Sequence, residues 1–128
     1  MKKAFIIFAL LFAFAAQAQQ KSYSLGPATD CKIVAPNAFT PNGDGVNDLF
    51  FVSVTGECTI LSFEIKIFDR WGRLVFEGNE TTDEWDGTYD GRQLKEGVYL
   101  WQSTVTWASD NEAGKTTETK KGSLVLIR

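Results

Sequence analysis

Four side chains with oxygen donors crowd into residues 42–48: Asn42, Asp44, Asn47 and Asp48. Carboxylate and amide oxygens at this density suit a hard cation, and calcium is the candidate cofactor. The order departs from the EF-hand loop, because Val46 stands where a fifth-position ligand would fall. The same residues also build Asx turns, in which a side-chain oxygen accepts a nearby backbone N–H. Gly43 and Gly45 permit positive φ and Pro41 fixes its own φ, so the stretch encodes a shaped loop with or without a metal.

Other chemistry has less to work with. The chain holds no histidine, which excludes Ser-His-Asp and Cys-His catalysis and His-based zinc sites. The two cysteines, Cys31 and Cys58, lie far apart and are expected to form a disulfide after export. Closing such a loop contributes about 3 kcal/mol in the chain-entropy account and leaves no thiolate nucleophile. Metal binding by the pair is the weaker alternative. Paired carboxylates in Asp83-Glu84-Trp85-Asp86 are the raw material of a glycosidase. A single small sandwich offers little wall for a substrate cleft, however, and acidic turns are common. The reading is therefore non-enzymatic.

Aromatic residues offer sugar stacking or core packing. Tyr99, Trp101 and Trp107 recur at period two with Val105, which places them on one strand face and in the core. Trp85 precedes Asp86-Gly87, where a large ring can pin a long loop. Trp71 sits at a hairpin tip and is the ring expected to be exposed.

The elements that must position these residues begin with a processing signal. Lys2 and Lys3 precede an uncharged apolar run over residues 4–15 and the small-x-small site Ala16-Gln17-Ala18. The run is shorter than the roughly 20 residues that span a bilayer, so residues 1–18 read as a cleaved secretory signal with no membrane insertion afterwards. Residues 19–30 form a polar, disordered lead, and 31–128 form one domain. The formal charge is −3 and the pI about 4.9, and removing Lys2 and Lys3 makes the mature chain more acidic still. Nucleic-acid and anionic-membrane partners call for a basic patch and are disfavoured. Lys115, Lys120 and Lys121 read as a solvated strand edge.

From residue 31 onward the pattern is that of strands: 32–35, 49–55, 58–60, 62–67, 73–77, 97–107 and 116–128. Ser62-Phe63-Glu64-Ile65-Lys66-Ile67 alternates strictly, turning Phe63, Ile65 and Ile67 to the core. Residues 68–72 turn this strand back into 73–77 as a hairpin. About seven strands with closely spaced turns and no helical periodicity predict an all-β, immunoglobulin-like β-sandwich.

Four ordered blocks then carry a resemblance. They are Pro36-Asn37-Ala38-Phe39-Thr40-Pro41-Asn42-Gly43-Asp44-Gly45-Val46-Asn47-Asp48, then Ile65-Lys66-Ile67-Phe68-Asp69-Arg70-Trp71-Gly72, then Trp85-Asp86-Gly87 through Gly97-Val98-Tyr99, and Gly122-Ser123-Leu124-Val125-Leu126-Ile127-Arg128. Together they resemble the gliding motility-associated C-terminal domain, the type B sorting domain of the Bacteroidetes type IX secretion system, over nearly the whole mature chain. The resemblance implies an Ig-like sandwich. It also implies secretion by way of the periplasm to the cell surface or beyond, with type IX outer-membrane machinery or surface-attachment proteins as partners. Members carry the domain behind a large adhesin or enzyme, whereas here residues 19–30 are the only candidate cargo. The resemblance points to a recognition surface at the loop 42–48, at Arg70, Trp71 and Gly72, and at Arg128. The bland alternatives are a surface charge for Arg70 and a frayed end for Arg128. The competing function is a calcium-assisted adhesion or glycan-binding sandwich.

Overall fold

A computed structural model describes residues 30–128, so the expected signal (1–18) and almost all of the lead lie outside the described residues. Nine strands run in order: β1 (Lys32–Val34), β2 (Ala38–Phe39), β3 (Ser53–Thr55), β4 (Ile60–Phe68), β5 (Leu74–Gly78), β6 (Thr88–Tyr89), β7 (Arg92–Gln93), β8 (Gly97–Ala108) and β9 (Lys115–Leu126). No helix occurs among the described residues. The fold is all-β and sandwich-like, as the alternating patterns predict.

The main layer is a five-stranded sheet in the order β2-β9-β8-β4-β5. Its centre is β8, registered with β9 from Gly97↔Leu126 to Ala108↔Lys115 and with β4 from Ile60↔Trp107 to Phe68↔Leu100. Side chains alternate across a strand, so one face collects the apolar set. Phe63, Ile65 and Ile67 on β4 are buried, with Tyr99, Trp101, Val105 and Trp107 on β8 and Leu124 and Leu126 on β9. Ser103 is the buried polar residue of that row, and its hydroxyl donates to the Glu64 carbonyl at 2.9 Å. The other face carries Thr104–Thr119 and Thr106–Thr117 hydroxyl pairs at 2.9 and 2.8 Å, which suit β-branched residues on a solvated sheet.

The opposing layer is smaller. β1 and β3 pair antiparallel, Ile33 against Val54, and Ile33 joins the core together with Val52, Phe50, Phe39 and Trp85. The Cys31–Cys58 disulfide forms as expected, with Cα atoms 6.0 Å apart, and fastens the outer end of this pair. Trp85 is the largest fully buried side chain. Its ring meets Phe39 at 5.3 Å and Tyr99 edge-on at 5.2 Å, and its Nε1–H donates to the Thr88 carbonyl at 2.9 Å. It pins residues 79–94 across the open side of the sheet.

The elements differ from the sequence reading in four places. The expected strand 49–55 contracts to β3, because Phe50 pairs only with Trp85, through reciprocal 2.8 Å bonds. Segments 58–60 and 62–67 merge into β4 with a register shift between Ile60 and Ser62. β2 pairs in parallel with the end of β9, and β6 pairs antiparallel with β7; β2, β6 and β7 are two-residue strands too short to show a period. The basic stretch of β9 is an exposed edge over most of its length, but Lys120 Nζ crosses to the Ile33 carbonyl at 2.8 Å and joins the two layers.

Candidate functional site

In the opening loop, side-chain oxygens of Asn42, Asp44 and Asp48 accept N–H groups of the loop's own backbone. Asp48 Oδ1 accepts the N–H groups of Asn42 and Gly43 at 3.0 and 2.9 Å, and Oδ2 accepts that of Gly45 at 2.7 Å. Asn42 Oδ1 accepts from Asp44 N–H at 3.0 Å, and Asp44 Oδ1 from Val46 N–H at 2.8 Å. Asn47 takes φ 54°, and its carbonyl accepts the Thr40 N–H at 2.7 Å. Burial works against ionisation of Asp48. The N–H groups of Gly45, Gly43, Asn42 and Asp44 outweigh it and hold the carboxyl below the ordinary Asp range. Among the described residues no three His, Cys, Asp or Glu side chains gather as a metal site.

A second aspartate organises the β4–β5 hairpin tip. Asp69 Oδ1 accepts the N–H groups of Trp71 and Arg73, both at 2.9 Å, and Oδ2 lies 3.3 Å from Arg73 Nε. The Arg73 N–H is the largest influence on this carboxyl. With help from Trp71 N–H and the Arg73 charge, it lowers the Asp69 pKa against the effect of burial. Gly72, at φ 83°, donates its N–H to the Asp69 carbonyl at 3.0 Å and completes the turn. With Asp69 turned inward, Arg70 and Trp71 are left facing solvent, and Trp71 is 85% exposed.

Arg70 and Trp71 line one side of a cleft of about 320 Å³ whose other side comes from β7 and the chain leading into β8. Arg70 lies over Gly97, its Nη2 3.6 Å from the point a Cβ there would occupy. Arg92 and Lys95 line the same cleft, and the Arg73 guanidinium sits over the Tyr89 ring at 5.3 Å. Tyr99 donates its hydroxyl to the Lys95 carbonyl at 2.7 Å. Burial, then the charge of Asp69, pushes the phenol pKa up, while Arg128, Arg70 and Arg73 pull the other way.

Arg128 is no frayed end. Its Nε donates to the Leu94 carbonyl at 2.9 Å, Nη2 to that of Gly87 at 3.0 Å and Nη1 to that of Pro41 at 3.4 Å, while its backbone N–H meets Glu96 Oε1. One guanidinium thus ties the opening loop, the Trp85-Asp86-Gly87 turn and the cleft wall at Leu94. The junction is tight: a Cβ on Gly87, already at φ 80°, would come within 3.1 Å of Leu126 and 3.2 Å of both Arg128 and Pro41. Gly122 is required for another reason, since a Cβ there would stand 2.7 Å from the Trp101 indole nitrogen.

The structure therefore separates the candidates into two groups. Arg70 and Arg128 meet the segment 94–97, Arg70 by overlying Gly97 and Arg128 by bonding Leu94 and Glu96; Trp71 lines the cleft beside it, and Gly72 shapes the turn without reaching that segment. Asn42, Asp44, Asn47 and Asp48 form a self-contained loop joined to that end through Pro41. Sequence reading missed Arg92 and Lys95. They lie more than twenty residues from Arg70 and are delivered to it only by the antiparallel return of the chain. The paired carboxylates at 83–86 cap local turns: Asp83 Oδ2 accepts Asn79 and Glu80 N–H at 2.8 and 2.9 Å, and Asp86 Oδ1 accepts Thr88 N–H at 3.0 Å. Both cysteines are in the disulfide.

These features define a disulfide-bearing, all-β sandwich-like module. The family model of the CHU_C type IX secretion signal domain matches residues 33–126, and the chain belongs to that family. Its function is that of a secretion and sorting module of the type IX system, and the family is not a catalytic one. Such domains mark proteins for export to the cell surface or the extracellular space, which implies contact with the type IX machinery. No curated protein matches the chain.

Proposed function

We propose that the folded sandwich end built around Arg70, Trp71 and Arg128 is the address that outer-membrane components of the type IX machinery read. In this reading residues 1–18 direct the first step across the inner membrane, and the folded domain is recognised in the periplasm. The observation that carries it is the convergence of separate sequence blocks at one place: Arg128 bonds the carbonyls of Pro41, Gly87 and Leu94, while the hairpin tip overlies Gly97. Such a surface exists only once the chain has folded, so export would report completed folding. The oxygens of residues 42–48 serve their own turns in this account, rather than calcium or a glycan.

The test is a fusion of residues 31–128 behind a reporter that carries its own periplasmic signal, expressed in a type IX-competent host. The reporter is expected outside the cell or on its surface, and in the periplasm when the type IX system is inactivated. Retention in the periplasm of the competent host would contradict the proposal.

A further inference from the structure

We propose that the cleft between the hairpin tip and residues 92–98 binds a short acidic protein segment that also carries apolar side chains. This rests on the reading that a protein partner recognises this end of the domain. The chain as a whole is acidic, at −3, yet Arg70, Arg73, Arg92 and Lys95 line this one cleft. The two acidic residues among its lining are already engaged, Asp69 by Arg73 and two backbone N–H groups, and Glu96 by the Arg128 N–H. Arg70, Arg92 and Lys95 make no ion pair among the described residues. Three cations without counter-charge in a partly walled cleft attract carboxylates, and guanidinium groups can hold them bidentately.

Apolar surface beside the cations favours a protein segment over a polyanionic sugar. Val98 lines the cleft and is 53% exposed, Leu100 lies two residues on along the same strand face at 50%, and Trp71 is at 85%. Val98 is registered with Val125 and Leu100 with Phe68, so the apolar surface continues across three strands beside the cations. Exposed Trp, Arg and aliphatic side chains in one patch make up the composition of a protein-protein hot spot. A sulfated or uronic polymer would use the cations and leave Val98 and Leu100 wet. A peptide alternating carboxylates with apolar residues uses both.

The experiment titrates the whole mature chain with a short fluorescent peptide in which Glu alternates with Leu, with a Gln-for-Glu version and dextran sulfate as controls. The wild-type chain is expected to bind the Glu peptide, more weakly as salt rises, and to bind the Gln version poorly. The triple variant Arg70→Glu/Arg92→Glu/Lys95→Glu is expected to lose at least about tenfold in affinity with an unchanged melting temperature. Leu100→Ser keeps every charge and is expected to weaken binding severalfold. Equal affinity of the wild-type and triple-variant chains for the Glu peptide would overturn the proposal, as would binding of dextran sulfate alone. A reporter fusion carrying the triple variant should stay in the periplasm, and its export at the wild-type level would also overturn it. If the wild-type fusion itself is not exported, the sorting reading fails instead, and the peptide titration still decides the cleft.

Discussion

Asp48 and Asp69 perform the same task in two loops. Each carboxylate gathers backbone N–H groups from the few residues around it, is held below the ordinary Asp range, and closes a turn that contains glycine. The results differ. In the opening loop Asn42 and Asp44 also each turn one side-chain oxygen onto the backbone, so much of the oxygen in that crowded stretch serves the loop's own turns. At the hairpin tip the aspartate absorbs the turn's demands alone, and its neighbours Arg70 and Trp71 are left to face solvent. Density of reactive side chains is therefore a poor guide to a site. What counts is which groups remain after the backbone has been satisfied.

The comparison can be broken first at the anchor the two regions share. Trp85 packs on Phe39, just before the opening loop, and on Tyr99, beneath the cleft. Trp85→Ala should cost about 3–5 kcal/mol, enough to show as a large fall in melting temperature. A loss under about 1 kcal/mol would mean the two regions are held independently. Next is the disulfide: Cys31→Ser/Cys58→Ser opens a loop with sequence separation 27 and should cost about 3 kcal/mol in denaturant titrations. It touches neither region, so the peptide affinity of chains still folded should be unchanged.

Arg128→Ala removes the group that joins the two regions and should cost about 1–2 kcal/mol, with Arg128→Lys recovering only part because one ammonium cannot reach three separate carbonyls. The effect of acid sharpens the contrast further. Both native carboxyls titrate below the ordinary Asp range, so their contribution is complete above that range and is lost as pH falls through the lowered native values. Asp48→Asn should therefore flatten the fall of melting temperature between neutral and strongly acid pH. The wild-type melting temperature should be the same in millimolar calcium and in chelator. The smallest effect on stability belongs to Trp71→Ala, within about 0.5 kcal/mol for so exposed a ring.

Much of the fold was legible because the long strands state their own period. The alternation of residues 62–67 and the aromatic spacing along β8 point to the faces they occupy. The two-residue strands were illegible for a physical reason. Ala38 and Phe39 sit between Pro36-Asn37 and Thr40-Pro41, and their pairing partners Val125 and Leu126 come from the far end of the chain. The proposed site was half legible. Arg70, Trp71 and Gly72 stand in one motif, but nothing local marks Arg92 or Lys95 as their neighbours. For Arg128, a terminal position suggested fraying, and only the approach of three loops supplies the carbonyls that hold it.

The central claim is that the tip is displayed for recognition while the opening loop is architecture. It is tested most directly by the export of a reporter fused to the domain bearing Arg70→Ala/Trp71→Ala, measured beside the melting temperature of the same protein. The account predicts an unchanged melting temperature and a reporter retained in the periplasm. Export at the wild-type level from an equally stable variant would contradict it.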